Sequence, residues 1–275
     1  MGLVKNRALG RVLIVAGSDS SGGAGVQADI KTVTMLGGYA ATAIIAVTVQ
    51  DTLGVQAIHD IPVDIIRGQM RAVLEDIGAD AIKTGMLHTV QVIEAVAEEI
   101  DAHTEDLPLV VDPVMRAKGG AALLEPEAVA ALKKILLPMA TLITPNIPEA
   151  ALLSDMFIDD VDSQRRAGER LLALGCEAVL IKGGHAPGDM IHDVLVTQAS
   201  VQVMSSPRID TPHTHGTGCT LGSAIATLMA QGMALEAAVA EARGYVHEAI
   251  RTAPGFGKGH GPLNHMHPLD RLDGE

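Results

Sequence analysis

Aromatic residues are nearly absent from this chain: Phe, Tyr and Trp together make up 1% of it, and Trp is missing altogether. Any core must therefore be filled by Val, Ile, Leu, Ala and Met at close range, which is compatible with a parallel sheet covered by helices. Cysteine is scarce as well. Cys176 and Cys219 show no metal-type spacing and make no disulfide framework, so a reducing, cytoplasmic setting is expected. Positive charge is in deficit, with a formal net charge of -13. That balance disfavours nucleic acid and anionic membranes as partners, because both need a basic surface. A small anionic ligand stays open, since a local nest of backbone N–H groups holds phosphate whatever the overall charge. Long apolar runs are missing too: Ala40 to Val49 is a typical short one, well below the roughly 18 residues of a membrane span. The opening MGLVKNRALGR enters a strand-like segment without the apolar stretch of a signal peptide.

What the chain does have is size and apolar content. Its 275 residues, 48% of them hydrophobic, suffice for one large α/β domain, and residues 1–275 read as a single domain with 1–10 as an N-terminal extension. Short β-branched runs predict buried strands at Val12 to Ala16, Ile44 to Val49, Ala81 to Lys83, Leu109 to Val111, Leu142 to Thr144 and Val179 to Ile181. Helical periodicity falls between them, at Val26 to Leu36, Val90 to Ile100, Glu127 to Leu137 and Ser163 to Leu174, with Asp162 as the expected N-cap of the last. Met190 to Thr197 and Ser200 to Met204 predict a hairpin. From Leu221 to Arg251 the pattern is helical, with a break at Gly232 and Met233. The alternation predicts a three-layer α/β/α sandwich around a mainly parallel sheet. In such a sheet, ligands bind beyond the carboxyl ends of the strands.

The segment Thr214-His215-Gly216-Thr217-Gly218-Cys219-Thr220 leads into a helix of small residues. Its glycines let backbone amides converge on an anion at the positive end of that helix, one way to stabilise a transferring phosphoryl group. Cys219 falls in the first turn, where a thiolate, and with it a general base, is favoured. The plainer alternative is a glycine-rich turn with a buried structural cysteine. The loop Ala16 to Gly25 lacks the Lys-Ser/Thr ending of a P-loop. Gly23, Gly25 and Ala28 match a loose dinucleotide-binding fingerprint, with Asp51 where a ribose-binding acid would stand, so a nicotinamide-dependent oxidoreductase is a rival reading. Because Gly23 follows the predicted strand by several residues, the loop suits a small polar ligand better, with Asp29 and Gln50 offering directional hydrogen bonds.

Asp112 follows a predicted strand, where an Mg2+ ion bridging nucleotide phosphates would be in reach. Thr144-Pro145-Asn146-Ile147-Pro148-Glu149 places Asn146 and Glu149 together at a helix start, as water-mediated magnesium ligands or simply as an N-cap with an acidic first turn. Lys182 ends another strand, in reach of a nucleotide phosphate. His260, His265 and His267 have no acidic or Cys partner nearby in sequence and are not read as a metal site.

In order and spacing, AGSDSSGGAGVQADIKT, AVTVQDT, KTGML, VVDPVM, TPNIPEA, LIKGGH, HTHGTGCT and GKGHGPLNHMH make the chain resemble the hydroxymethylpyrimidine/phosphomethylpyrimidine kinases of the ribokinase-like superfamily, over about Val12 to His267. The resemblance implies two successive phosphorylations in thiamine biosynthesis, of 4-amino-5-hydroxymethyl-2-methylpyrimidine and then of its monophosphate, with ATP and Mg2+ as cofactors. It also implies pyrimidine contacts at Gly17, Asp29, Gln50, Met86 and Val114. The anion hole and catalytic thiol fall on Gly216, Gly218 and Cys219, nucleotide contacts on Asn146, Lys182 and Thr217, and metal contacts on Asp112 and Glu149. A homodimer follows from family habit. Many relatives carry Lys and Asn where this chain has Pro212 and His213. A pyridoxal kinase of the same fold is the nearest alternative, and a non-catalytic pyrimidine-binding protein a more distant one.

Overall fold

The computed structural model describes residues 9–104 and 106–270, so the first eight positions of the expected N-terminal extension lie outside it. Among the described residues the strands are β1 (Arg11–Asp19), β2 (Tyr39–Gln50), β3 (Val55–Asp60), β4 (Ala81–Thr84), β5 (Leu109–Val111), β6 (Leu142–Ile143), β7 (Ala178–Ile181), β8 (Met190–Thr197) and β9 (Val201–Pro207). They form one sheet in the order β3-β2-β1-β4-β5-β6-β7-β8-β9. The interior from β2 to β7 is parallel, while β3 pairs antiparallel with β2 at one edge and β8 and β9 extend the other edge antiparallel. No helix among the described residues is long and apolar enough to cross a membrane.

The helices are α1 (Gly25–Met35), α2 (Val63–Ala72), α3 (Val90–His103), α4 (Pro126–Ala131), α5 (Ile147–Ser154), α6 (Val161–Leu172), α7 (Thr217–Ala230) and α8 (Leu235–Arg251). The period-2 alternation of β1 assigns them to two layers. Val12, Ile14 and Ala16 face a core that includes Val26 of α1, Ile225 of α7 and Val246 of α8. Leu13 and Val15 face the opposite core with Ile66 of α2, Ile93 of α3 and Leu171 of α6. Both cores are aliphatic but for Tyr245 in the first. Each side chain fully removed from water contributes ~1.5–3 kcal/mol, so many small residues do the work that a few aromatic ones do elsewhere.

Several local details differ from the sequence reading. β3 and α2 went unread: Val55–Asp60 carries few apolar residues and is ordered by its pairing with β2 rather than by its own pattern. β1 runs on to Asp19, so the glycine-rich loop begins closer to the strand end than expected. The N-cap of α6 is Asp160, not Asp162: Asp160 Oδ1 accepts from Ser163 N at 2.7 Å and the Ser163 hydroxyl returns the bond, closing a reciprocal cap. The helical break falls at Gly232, whose φ of 85° suits only a residue without a Cβ.

Candidate active site

The ends of β1, β4, β5, β6 and β7 deliver the functional side chains to one edge of the sheet. Asp112 leaves β5 only 2% exposed. Lys182, after β7, donates from Nζ to Asp112 Oδ1 at 2.8 Å, and Thr144 Oγ1 reaches the same oxygen at 3.3 Å. The start of α7 sits directly above them. A Cβ added at Gly218 would lie 3.0 Å from Lys182 Nζ and 3.3 Å from Asp112 Oδ2. Gly216 caps α7 with φ 83°, and a Cβ there would run into the carbonyl oxygen of Gly23. Gly216 is therefore required by space, and Gly218 leaves the Lys182 ammonium room at the helix start. Thr217 N donates to Thr214 O at 3.4 Å, and the next amides of the first turn of α7 lie beside one cation and one carboxylate, an arrangement suited to phosphate oxygens. Thr217 belongs to that turn, its hydroxyl tied back to Thr214 O at 2.8 Å.

Asn146 and Glu149 realise the helix-cap alternative in full. Asn146 Oδ1 accepts from Glu149 N at 3.0 Å, and Glu149 Oε2 accepts from Asn146 N at 2.8 Å. The cap does not use up Glu149. Burial pushes its carboxyl up to about 7 against the pull of Lys182, with Asp112 adding to the rise. Among the described residues no group of three or more His, Cys, Asp and Glu side chains forms a metal cage. Asp112 and Glu149 fit the alternative that suits Mg2+, one or two carboxylates completed by water and substrate phosphates.

The expected pyrimidine contacts divide. Gly17 and Met86 meet, since a Cβ at Gly17 would lie 2.8 Å from Met86 Cε. Val114 follows Asp112 in a tight turn, its N–H donating to Asp112 O at 2.8 Å. Gln50 lies 3.4 Å from His215 Nε2 through its carboxamide. Asp29 is placed differently. It has no exposed surface, and its oxygens take Lys83 Nζ at 2.9 Å and 2.8 Å and Ser223 Oγ at 2.7 Å. Asp29 thus belongs to the layer beneath the cleft rather than to its lining.

Cys219 keeps an opening to the cleft, but the thiolate expected from its helix position is not favoured. Burial pushes the thiol up to about 12; Lys83 opposes the rise, and Asp29 and Asp112 add to it. Burial outweighs the pull of Lys83 and of the Gly25 amide toward the thiolate.

Three residues of the site went unread. Lys83 is fully buried, and despite that burial its pairing with Asp29 holds its pKa above the ordinary lysine value. Asp19 and His215 form a second pair, Nε2 to Oδ2 at 2.8 Å. Burial alone would raise the Asp19 carboxyl; bonds from His215, Ser21 and Ala24 N hold it below its ordinary value. All three stand inside the segments quoted above, next to residues that were singled out. The signal was their position after a strand or before a glycine turn.

The comparisons with known proteins agree with this geometry. The profile of the phosphomethylpyrimidine kinase family matches residues 19–264. A Bacillus subtilis hydroxymethylpyrimidine/phosphomethylpyrimidine kinase is 47% identical over 93% of this chain and 94% of its own. A thiamine biosynthesis bifunctional protein of Geobacter sulfurreducens is 50% identical over 94% of this chain, which spans only 52% of that longer protein. Among solved structures, the ADP complex of Bacillus subtilis pyridoxal kinase superposes with a TM-score of 0.88 at 38% identity, covering 94% of this chain and 98% of that one.

Proposed function

This chain belongs to the phosphomethylpyrimidine kinase family, and from that membership we propose the reaction its site carries out. It uses ATP to phosphorylate the hydroxymethyl group of 4-amino-5-hydroxymethyl-2-methylpyrimidine, and then the resulting monophosphate, in thiamine biosynthesis. The observation that carries this reading is the convergence of Gly218, Lys182 and Asp112 at the start of α7.

Phosphoryl transfer passes through a loose transition state, so the protein contributes mainly position and charge. Lys182 and the amides of Gly216 to Cys219 neutralise the transferring group, and Asn146 and Thr217 border the nucleotide. Asp112 and Glu149 would hold Mg2+, which when bound would neutralise charge on the phosphates. Gly17, Gln50, Met86 and Val114 receive the ring. Cys219 holds the attacking hydroxyl rather than deprotonating it, because a thiol raised to about 12 is a weak base at neutral pH.

The rival dinucleotide reading is disfavoured by Asp51, whose Oδ1 is spent on Leu53 N at 2.8 Å and Gly54 N at 3.1 Å. A pyridoxal kinase activity is the second reading, favoured by the likeness to the pyridoxal kinase fold. The single-domain reading is supported by one sheet that takes strands from Arg11 to Pro207. A homodimer is supported by the exposed apolar Val47, Val49 and Leu53 at the β2–β3 edge, and a sedimenting monomer would refute it.

The deciding experiment is ADP release from Mg-ATP with hydroxymethylpyrimidine, its monophosphate and pyridoxal. Turnover of both pyrimidines is expected. Turnover of pyridoxal alone would transfer the assignment to vitamin B6, and pyrimidine binding without ADP would leave a binding protein.

A further inference from the structure

The substrate end of the cleft contains a hydrogen-bond chain for which phosphoryl transfer has no use. Asp19, 3% exposed, accepts from Ser21 N and Ala24 N, each at 2.8 Å, and faces His215 Nε2 at 2.8 Å. An ionised carboxylate only accepts, so His215 carries its hydrogen on Nε2. That nitrogen is also the one beside the Gln50 carboxamide, at 3.4 Å. On the far side of the carboxamide lies Thr48 Oγ1 at 3.2 Å, whose single hydrogen goes to Ser18 O at 2.8 Å.

A carboxamide has two orientations, related by a half-turn about its terminal torsion. With nitrogen beside His215, one N–H confronts another, and the oxygen beside Thr48 competes for a hydrogen already given away. With oxygen beside His215 and nitrogen beside Thr48, the carboxamide NH2 donates to the Thr48 oxygen, and its oxygen shares the Nε2 hydrogen that Asp19 also takes. The two neighbours ask independently for the same orientation.

We propose that Asp19 and His215 are positioning residues for substrate specificity: through the Nε2–H tautomer they hold the Gln50 carboxamide with its oxygen toward His215 and its NH2 group toward Thr48. The pocket then offers the ring one fixed acceptor and one fixed donor in a set order. An aminopyrimidine edge, which presents an N–H donor beside a ring-nitrogen acceptor, matches one order only. The 4-oxo analogue, with the exocyclic N–H replaced by a carbonyl, mismatches it. The choice of ring rests on the kinase reading above, whereas the tautomer and the carboxamide orientation do not.

The test therefore has two arms. In the ligand-free protein labelled with 15N, the His215 ring is expected to show a protonated Nε2 and a bare Nδ1, and the Gln50 NH2 protons an Overhauser contact to the Thr48 methyl group. A protonated Nδ1 with bare Nε2, or a Gln50 NH2 contact to the His215 ring instead, overturns the proposal whether or not the protein is a kinase. The second arm compares kcat/KM for the aminopyrimidine with that for its 4-oxo analogue. In Asp19→Asn the carboxylate that fixes the Nε2–H tautomer is lost, so the preference is expected to fall by ~10-fold or more, the cost of one mispaired buried hydrogen bond. Thr48→Val leaves the loop around Asp19 intact and is expected to lower the preference less, by ~3–10-fold. The KM for ATP is expected to stay within about twofold in both, because the chain stands apart from Lys182 and Asp112. An unchanged preference in both variants, or a common loss for both pyrimidines and for ATP, overturns the proposal.

Discussion

Two lysine–carboxylate pairs flank the start of α7, and they differ in completeness. Lys83 and Asp29 have no exposed side-chain surface, and both oxygens of Asp29 are taken by Lys83 and Ser223. Lys182 and Asp112 sit at the cleft with side chains 14% and 2% exposed, joined by one bond at 2.8 Å, with Asp112 Oδ2 left facing the α7 turn. The chemistry of the partners is the same in both pairs. What separates scaffold from site is access once the chain has folded: the first pair is sealed from solvent, the second borders the cleft.

The largest effect that would sharpen this comparison is on stability. Lys83→Met leaves Asp29 charged and unpaired in the interior, and ~3–5 kcal/mol of unfolding free energy is expected to be lost in a urea titration. A loss near zero would break the distinction. Lys182→Met is expected to reverse the pattern, lowering kcat for both pyrimidines by ~100- to 1,000-fold while costing only ~1–2 kcal/mol in the same titration, since Thr144 still serves Asp112.

The smallest effect concerns Glu149. Its carboxyl titrates near 7 in the fold and near 4.5 as an ordinary glutamate. The folded state therefore takes up a proton before the unfolded state does, and metal-free stability is expected to rise as pH falls from 7 toward 4.5. Magnesium needs the ionised form, so the apparent Mg2+ affinity of the kinase is expected to fall ~10-fold per pH unit below about 7. Glu149→Gln should flatten both dependences.

Much of this was legible beforehand. The β-branched runs and the expected hairpin marked eight of the nine strands among the described residues, and the residues just past the runs supplied Asp112, Asn146, Glu149 and Lys182. β3 was not legible, because Gln56, His59 and Asp60 mask its period and only pairing with β2 orders it. Three aspartates within four residues hid which one caps α6, a choice made by the Ser163 hydroxyl. Lys83 escaped because no local pattern announces that a lysine is buried; its partner is 54 residues away. The pairing of Asp29 with Lys83 was hidden for the same reason.

His215 depends on both flanks of the sequence. Its side chain meets Asp19 across 196 residues, its N–H donates to Gly261 O at 3.1 Å, and Thr220 of the same turn bonds His265 at 2.9 Å. During synthesis, a ribosome that has delivered β1 to β9 has made nearly the whole sheet but no working catalyst. The loop joining Asp19 to His215 closes late, and it is secured only when Gly261 to His265 emerge.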